Sequence, residues 1–142
     1  MKKIFTNIAA VSAFAVVSTV TAYADDLQSI SGKWSLKKTV DGNAITQAVE
    51  IKKDKFTFSV KNSDGNTVLY AEGSVKVEKL SPFKSIKFFD IKAGRSATET
   101  ESVDEVRQGI YQVEDGTWTL ASNFDAERDQ KPTVDVYSKV TN

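Results

Sequence analysis

Three Asp-Gly pairs, each set between runs of alternating polar and apolar residues, constrain the fold of this chain more than any other sequence feature. They are Asp41-Gly42, Asp64-Gly65 and Asp115-Gly116. Side chains in a strand point alternately to two faces, and the tightest hairpin turns need a positive φ at both central positions, which Asp-Gly supplies. The sequence therefore predicts a protein built from β-hairpins.

The hairpin around Asp115-Gly116 can be paired residue by residue. A two-residue turn places Val113 opposite Trp118 and Tyr111 opposite Leu120, so that four large side chains share one face. Cross-strand pairs of an aromatic and an aliphatic residue contribute up to about 1 kcal/mol each. This hairpin is expected to present one apolar face to the core.

The hairpin around Asp64-Gly65 has matching apolar faces if its loop is four residues long, residues 63–66. The register then pairs Asn62 with Thr67, Val60 with Leu69, Phe58 with Ala71, and Phe56 with Gly73. A glycine opposite a bulky phenylalanine is typical of a sharply bent strand. The second strand of this hairpin is therefore expected to bend.

The remaining strands are short and regularly spaced. Residues 32–39 alternate around Trp34, and a strand beginning at residue 86 is expected to place Ile91 on the face opposite Ile86. A last strand, opened by Pro132, is expected to turn Val134 and Val136 inward. Residues 44–50 fit either a strand or a helical turn, and residues 92–105 are predicted to form a long polar loop.

Seven to nine short strands, with few helix signals between them, predict an all-β sandwich or barrel. Consecutive hairpins favour an up-and-down arrangement, and closure of the sheet removes its exposed edges. The predicted fold class is a single antiparallel up-and-down β-barrel of about eight strands.

The first 24 residues have the pattern of a secretory signal peptide. Met1-Lys2-Lys3 is a positive start, residues 8–20 are apolar, and Ala22-Tyr23-Ala24 is a small-x-small cleavage site. An uncleaved anchor helix is the alternative interpretation. The sequence predicts a signal peptide over residues 1–24, cleavage after Ala24, and a barrel domain over residues 25–142 in the periplasm or outside the cell, with no membrane span in its mature form.

The composition excludes several function classes. The chain has no histidine and no cysteine, so Ser-His-Asp and Cys-His catalysis, zinc sites of the usual kind and disulfides are excluded. Loss of the signal peptide leaves 17 basic against 19 acidic residues, which gives no electrostatic case for nucleic acid. A Ser-Lys dyad or a carboxylate pair stays open, but no nucleophile and base can be named together, so no enzyme and no cofactor are expected.

Two metal sites fit the residues poorly. Tyr111 can ligate haem iron only as a tyrosinate without a histidine partner. The acidic stretch that contains Glu99, Glu101, Asp104 and Glu105 lacks the alternating oxygen spacing of a dedicated calcium loop. Both features are therefore interpreted as parts of the barrel and its solvated surface.

The order of short motifs resembles a lipocalin-like (calycin-type) domain of many uncharacterised exported bacterial proteins. The motifs are Gly32-x-Trp34, Asp41-Gly42, Lys55-Phe56-Thr57-Phe58, Ile86-Lys87-Phe88-Phe89, and Gly109-Ile110-Tyr111 followed by the Asp115-Gly116 hairpin. The resemblance covers most of residues 27–137. It implies an eight-stranded barrel whose narrow end is closed by Trp34, with Arg107 or Lys139 as the cation packed on that ring.

The barrel interior is the site that the resemblance implies. Trp34 is also readily explained as core packing, because large aromatic residues dominate core energetics. Six rings inside an eight-stranded barrel leave room for a small apolar pocket or none. The expected function is non-enzymatic binding of a small apolar or amphipathic ligand, and the alternative is a protein-binding barrel of the protease-inhibitor or envelope-associated kind. The predicted ligand-binding residues are Trp34, Phe56, Phe58, Phe88, Tyr111 and Trp118.

Overall fold

The computed structural model describes residues 26–80, 83–124 and 131–142, and the predicted signal peptide lies outside these ranges. A short helix over residues 26–30 precedes nine strands. The strands are β1 (Gly32–Val40), β2 (Asn43–Lys52), β3 (Lys55–Lys61), β4 (Thr67–Leu80), β5 (Phe83–Ser96), β6 (Glu99–Ser102), β7 (Arg107–Glu114), β8 (Thr117–Ser122) and β9 (Thr133–Lys139).

The strands form one closed sheet in the order β4-β3-β2-β1-β9-β8-β7-β5-β6, with β4 also paired to β5. All pairings are antiparallel. The last strand pairs with the first, and β6 pairs with β5 as an extra strand beside an eight-stranded barrel. The predicted all-β, up-and-down barrel of about eight strands is confirmed.

The two tightest hairpins have the predicted turns. Asp41 and Gly42 have φ values of 50° and 79°, and Asp115 and Gly116 have values of 48° and 73°. These left-handed conformations match the twist of the flanking strands, which fixes the register of each hairpin. Around Asp115-Gly116 the observed pairs are the predicted ones, including Val113 with Trp118.

The hairpin between β3 and β4 confirms three of the four predicted pairs. Phe56, Phe58 and Val60 lie opposite the predicted partners, but Thr67 pairs with Lys61 across a bulge rather than with Asn62. The Asn62 side-chain oxygen accepts hydrogen bonds from the backbone N–H groups of Asp64 (3.1 Å) and Asn66 (2.9 Å). Asn62 therefore belongs to the loop, where its backbone N–H also donates to the Asn66 carbonyl oxygen at 3.0 Å.

A second bulge lies where β4 and β5 bend past each other. A Cβ atom at Gly73 would lie 2.7 Å from the Phe89 carbonyl oxygen, so only glycine fits there. The register shifts across this point, and Asp90 has a φ of 51°. The bulge turns Ile91 inward, where it is 6% exposed. The prediction that Ile91 lies on the face opposite Ile86 was therefore wrong.

The predicted loop over residues 92–105 was also wrong in most of its length. Strand β5 continues to Ser96, and β6 pairs with it from Glu99 to Ser102. An edge strand with exposed faces needs no apolar alternation, so its alternating threonine and glutamate residues gave no strand signal. Residues 44–50, left open by the sequence, belong to strand β2.

Strand β9 has the inverse of its predicted orientation. Val134 and Val136 are 66% and 47% exposed, whereas Tyr137 is 3% exposed. The Tyr137 ring packs on Trp118 with a centroid separation of 5.4 Å. Burying the larger aromatic ring removes more apolar surface from water than burying either valine, so the tyrosine occupies the interior.

One end of the barrel is closed by the N-terminal helix and Trp34. Ile30 and Trp34 are 0% and 1% exposed, and the Trp34 indole N–H donates to the Ile30 carbonyl oxygen at 2.8 Å. The Trp34 and Trp118 rings meet edge to face, 5.6 Å apart. Of the two predicted cations, Lys139 lies over Trp34, with its Nζ atom 4.6 Å from the ring centroid.

The barrel is joined between β1 and β9 by a short seam. Among the described residues, two pairs form this ladder, Trp34 with Lys139 and Ser35 with Ser138. By comparison, β1 pairs with β2 along its full length, from Gly32 to Val40. Toward the other end of the barrel, contact between β1 and β9 depends on side chains.

Candidate functional site

The end of the barrel opposite Trp34 contains a solvent-accessible cavity of about 430 Å³. This volume is in the range of sites that bind small molecules. It exceeds the small pocket or none that six interior rings predicted. Small residues explain the difference, because Ala71, Ala93 and Gly109 line the cavity on β4, β5 and β7.

One wall of the cavity is apolar. It consists of the inner faces of β3, β4 and β5, and every described residue that these three strands contribute to the lining is apolar. Phe56 and Phe88 pack edge to face in this wall, with ring centroids 4.9 Å apart. The residues of this apolar wall are Phe56, Phe58, Val60, Leu69, Ala71, Phe88, Ile91 and Ala93.

The opposite wall is polar. In the order of strands around the barrel, β9 lies diametrically across from β4. Strand β9 contributes Thr133, Asp135 and Tyr137, its neighbour β1 contributes Lys38, and β2, the strand beyond β1, contributes Gln47 beside the apolar Val49. The five polar residues are called the polar wall below. The cavity therefore presents hydrocarbon on one side and hydrogen-bonding groups on the other.

The deeper hydrogen bond of the polar wall joins Tyr137 to Gln47. The Tyr137 hydroxyl donates to the Gln47 Oε1 atom at 2.9 Å. Burial raises the pKa of Tyr137 above its ordinary value, and the nearby charge of Asp135 raises it further. Tyr137 is therefore a neutral hydrogen-bond donor at physiological pH. Among the described residues the Gln47 amide nitrogen has no protein partner.

The outer interaction of the polar wall is an ion pair between Lys38 and Asp135. The Lys38 Nζ atom lies 2.9 Å from the Asp135 Oδ1 atom, and both side chains are partly exposed. This pair joins β1 to β9 beyond the last backbone pair of the seam, Ser35 with Ser138. Side chains rather than a backbone ladder therefore hold this part of the cavity wall together.

A second ion pair lies at the mouth of the cavity. The Arg107 guanidinium contacts the Glu105 carboxylate at 3.2 Å, and both side chains are exposed. Because solvent and salt screen exposed charges, this pair contributes little to stability. It leaves the mouth with balanced charge. Within the described ranges, no group of three or more acidic residues is arranged to hold a metal ion.

Four of the six predicted ligand-binding residues line the cavity, and the other two do not. Phe56, Phe58 and Phe88 are in the apolar wall, and Trp118 also lines the cavity. Trp34 and Tyr111 are buried outside the lining, Trp34 beneath the N-terminal helix. Binding of a ligand by any of these residues stays a prediction.

The Tyr111 hydroxyl is a buried polar group without a hydrogen-bond partner among the described residues. Burial, with a smaller contribution from the charge of Asp26, raises the pKa of Tyr111 to about 12. Asp26 itself pairs with Lys84 at 2.8 Å. Tyr111 therefore belongs to the closed end of the barrel and contributes mainly the apolar surface of its ring.

The sequence prediction missed the whole polar wall. Alternation assigned Asp135 and Tyr137 to the outer surface, and Gln47 lies in the stretch whose structure the sequence left open. Lys38 gave a usable signal, since it shares the parity of Trp34 and Leu36 on β1. A lysine that shares the inner face with two large apolar residues indicates a polar partner inside the barrel.

Comparisons of the chain with protein-family models, with curated proteins and with solved structures found no match. Within the described ranges, no helix has both the length and the apolar character needed to cross a membrane. The barrel and its two-sided cavity are therefore the observations on which a function can be argued.

Proposed function

We propose that this chain is an exported, lipocalin-like and non-enzymatic protein that binds a small apolar or amphipathic molecule in the open end of its barrel. The observation that carries the proposal is the cavity of about 430 Å³ with its continuous apolar wall. Each 100 Å² of apolar ligand surface removed from water there favours binding by roughly 2.5 kcal/mol. Export is supported by the signal-peptide pattern of residues 1–24.

Binding of N-phenyl-1-naphthylamine, an apolar dye that fluoresces when it leaves water, tests the proposal. We expect the mature protein to bind the dye with a Kd on the order of 10 µM, because part of the gain from burial is offset by the cost of association. Ala93 lines the cavity, so Ala93→Trp should fill part of it and weaken dye binding at least about tenfold.

Ala121→Trp is the matched control. Ala121 lies on β8 outside the cavity lining, so the same new ring there should leave the Kd unchanged. Circular dichroism of both variants would show that they are folded. No dye binding by the wild-type protein, or equal weakening by the two substitutions, would contradict the proposal.

A second candidate function, binding of a partner protein, is favoured by the outer face of β9. Val134 and Val136 are 66% and 47% exposed there. Exposed valines that lie two residues apart on one strand form an apolar surface of a kind that partner proteins cover. Native mass spectrometry of the protein purified from its exporting cells separates the two functions. A co-purified small mass supports ligand binding, and a co-purified protein lost on Val134→Lys supports the second function.

A further inference from the structure

The arrangement of polar groups in the cavity carries information about the shape of the ligand. Asp135 and Tyr137 are two residues apart on the same face of β9, so their backbone positions differ by roughly 7 Å along the strand. Asp135 pairs with Lys38, and Tyr137 with Gln47. The cavity therefore has two hydrogen-bonding positions one above the other, rather than a single polar group at its mouth.

The two positions differ in depth. Tyr137 packs on Trp118, near the closed end, and is 3% exposed. The Lys38–Asp135 pair is partly exposed and lies toward the open end. The polar wall thus follows the axis of the cavity from mouth to floor, and the apolar wall faces it along the same length.

We infer that the ligand is a facial amphipath: an apolar, ring-like body with hydrogen-bonding groups in a row along one face. The inference rests on the proposed function, since it concerns the same cavity. The apolar face of such a molecule contacts β3, β4 and β5. Its polar face replaces water at Gln47 and Tyr137 in the deeper position and at Lys38 and Asp135 in the outer one.

A molecule with one polar head and a straight apolar tail fits this cavity less well. With its head at the mouth, the tail covers Gln47 and Tyr137 and displaces the water around them. The amide nitrogen of Gln47 has no protein partner among the described residues, so it loses hydrogen bonds when a hydrocarbon covers it. A buried polar group without a partner disfavours such a complex.

Two neutral steroid esters test the inference by displacing N-phenyl-1-naphthylamine from the mature protein. Methyl cholate carries a row of hydroxyls on one face of its rings, and methyl lithocholate has the same rings with only the hydroxyl at one end of that row. Because each hydrogen bond gained in a partly buried site favours binding by about tenfold or less, we expect methyl cholate to displace the dye at a concentration about tenfold lower.

Substitutions in the polar wall should remove this preference. Tyr137→Phe and Gln47→Leu each remove a hydrogen-bonding group from the deeper position, so the ratio of the two displacement constants should fall toward one. Val136→Ala, on the outer face of the same strand, should keep the wild-type ratio. If Tyr137→Phe does not fold, Gln47→Leu and Lys38→Met give the same test at each position separately.

The possible results separate the two proposals. Dye binding with equal or reversed affinities for the two esters would overturn the facial arrangement and leave the binding function standing. An unchanged ratio in the polar-wall variants would also overturn it. Failure of the dye itself to bind would overturn the proposed function.

Discussion

Two buried tyrosines on the inner face of the barrel differ in whether their hydroxyl has a partner. Tyr137 is 3% exposed and Tyr111 is 7% exposed. The Tyr137 hydroxyl donates to Gln47, whereas the Tyr111 hydroxyl has no partner among the described residues. The substitutions Tyr137→Phe and Tyr111→Phe remove the same atom, so their effects on the free energy of unfolding isolate the hydrogen bond.

The two substitutions should act in opposite directions. Tyr137→Phe deletes a hydrogen bond and should lower the free energy of unfolding by about 1 kcal/mol. In the wild-type protein the Tyr111 hydroxyl is buried without a hydrogen-bond partner among the described residues, which costs about 1–3 kcal/mol. Tyr111→Phe removes this cost. The small void that remains offsets part of this gain, so we expect Tyr111→Phe to raise stability by about 1 kcal/mol. The two variants should therefore differ by about 2 kcal/mol.

Urea denaturation, followed by tryptophan fluorescence, measures the difference. Trp34 and Trp118 are 1% and 0% exposed, so their emission should change strongly on unfolding. Both variants should keep the wild-type dependence of free energy on urea, because they expose the same surface. In a thermal scan the two variants should differ by roughly 8 °C. Destabilisation by Tyr111→Phe equal to that by Tyr137→Phe would refute the assignment of hydrogen bonds.

Three further predictions concern Gly73, the titration of Tyr111 and the cleavage site after Ala24. Gly73→Ala should destabilise the protein by about 1–3 kcal/mol in urea denaturation, because its Cβ atom would lie 2.7 Å from the Phe89 carbonyl oxygen. Burial raises the pKa of Tyr111 from 10.0 to about 12, so the unfolded state loses its proton first and the free energy of unfolding should fall as pH rises from 10 to 12. The fall should be smaller in Tyr111→Phe, as measured by urea titrations at each pH. The intact mass of the exported protein should correspond to a chain cleaved after Ala24.

The hairpins could be predicted from the sequence because their determinants are local. Asp-Gly in a left-handed turn fixes the register of its two strands, as observed around Asp115-Gly116. Closure of the barrel could be predicted too, since it removes the exposed edges that a row of consecutive hairpins would otherwise leave. The part of the apolar wall on β3 and β4 followed from the same alternation, and Phe56 and Phe58 lie where alternation placed them.

The missed features depend on contacts between distant parts of the chain. Nothing near Asp90 announces the bulge that turns Ile91 inward, because the cause is the close approach of Gly73. Likewise, Tyr137 is drawn inward by Trp118 and Gln47. The sequence prediction underestimated the cavity volume because it counted six interior aromatic rings without knowing which end of the barrel each one occupies. Trp34 and Tyr111 lie outside the cavity lining, which leaves space lined by alanine and glycine at the other end.

The short seam between β1 and β9 has a consequence for how the molecule stays folded. The ion pair of the seam, Lys38 with Asp135, joins residues 97 positions apart in the chain. Closing this long loop costs more chain entropy than closing a local hairpin. We expect backbone amides of β1 and β9 at the open end to exchange with deuterium faster than those of the β7–β8 hairpin. A bound molecule that contacts both β1 and β9 would hold the two strands together and slow this exchange. The fraction of protein with a bound ligand and the exchange rate of these amides would then report the same equilibrium.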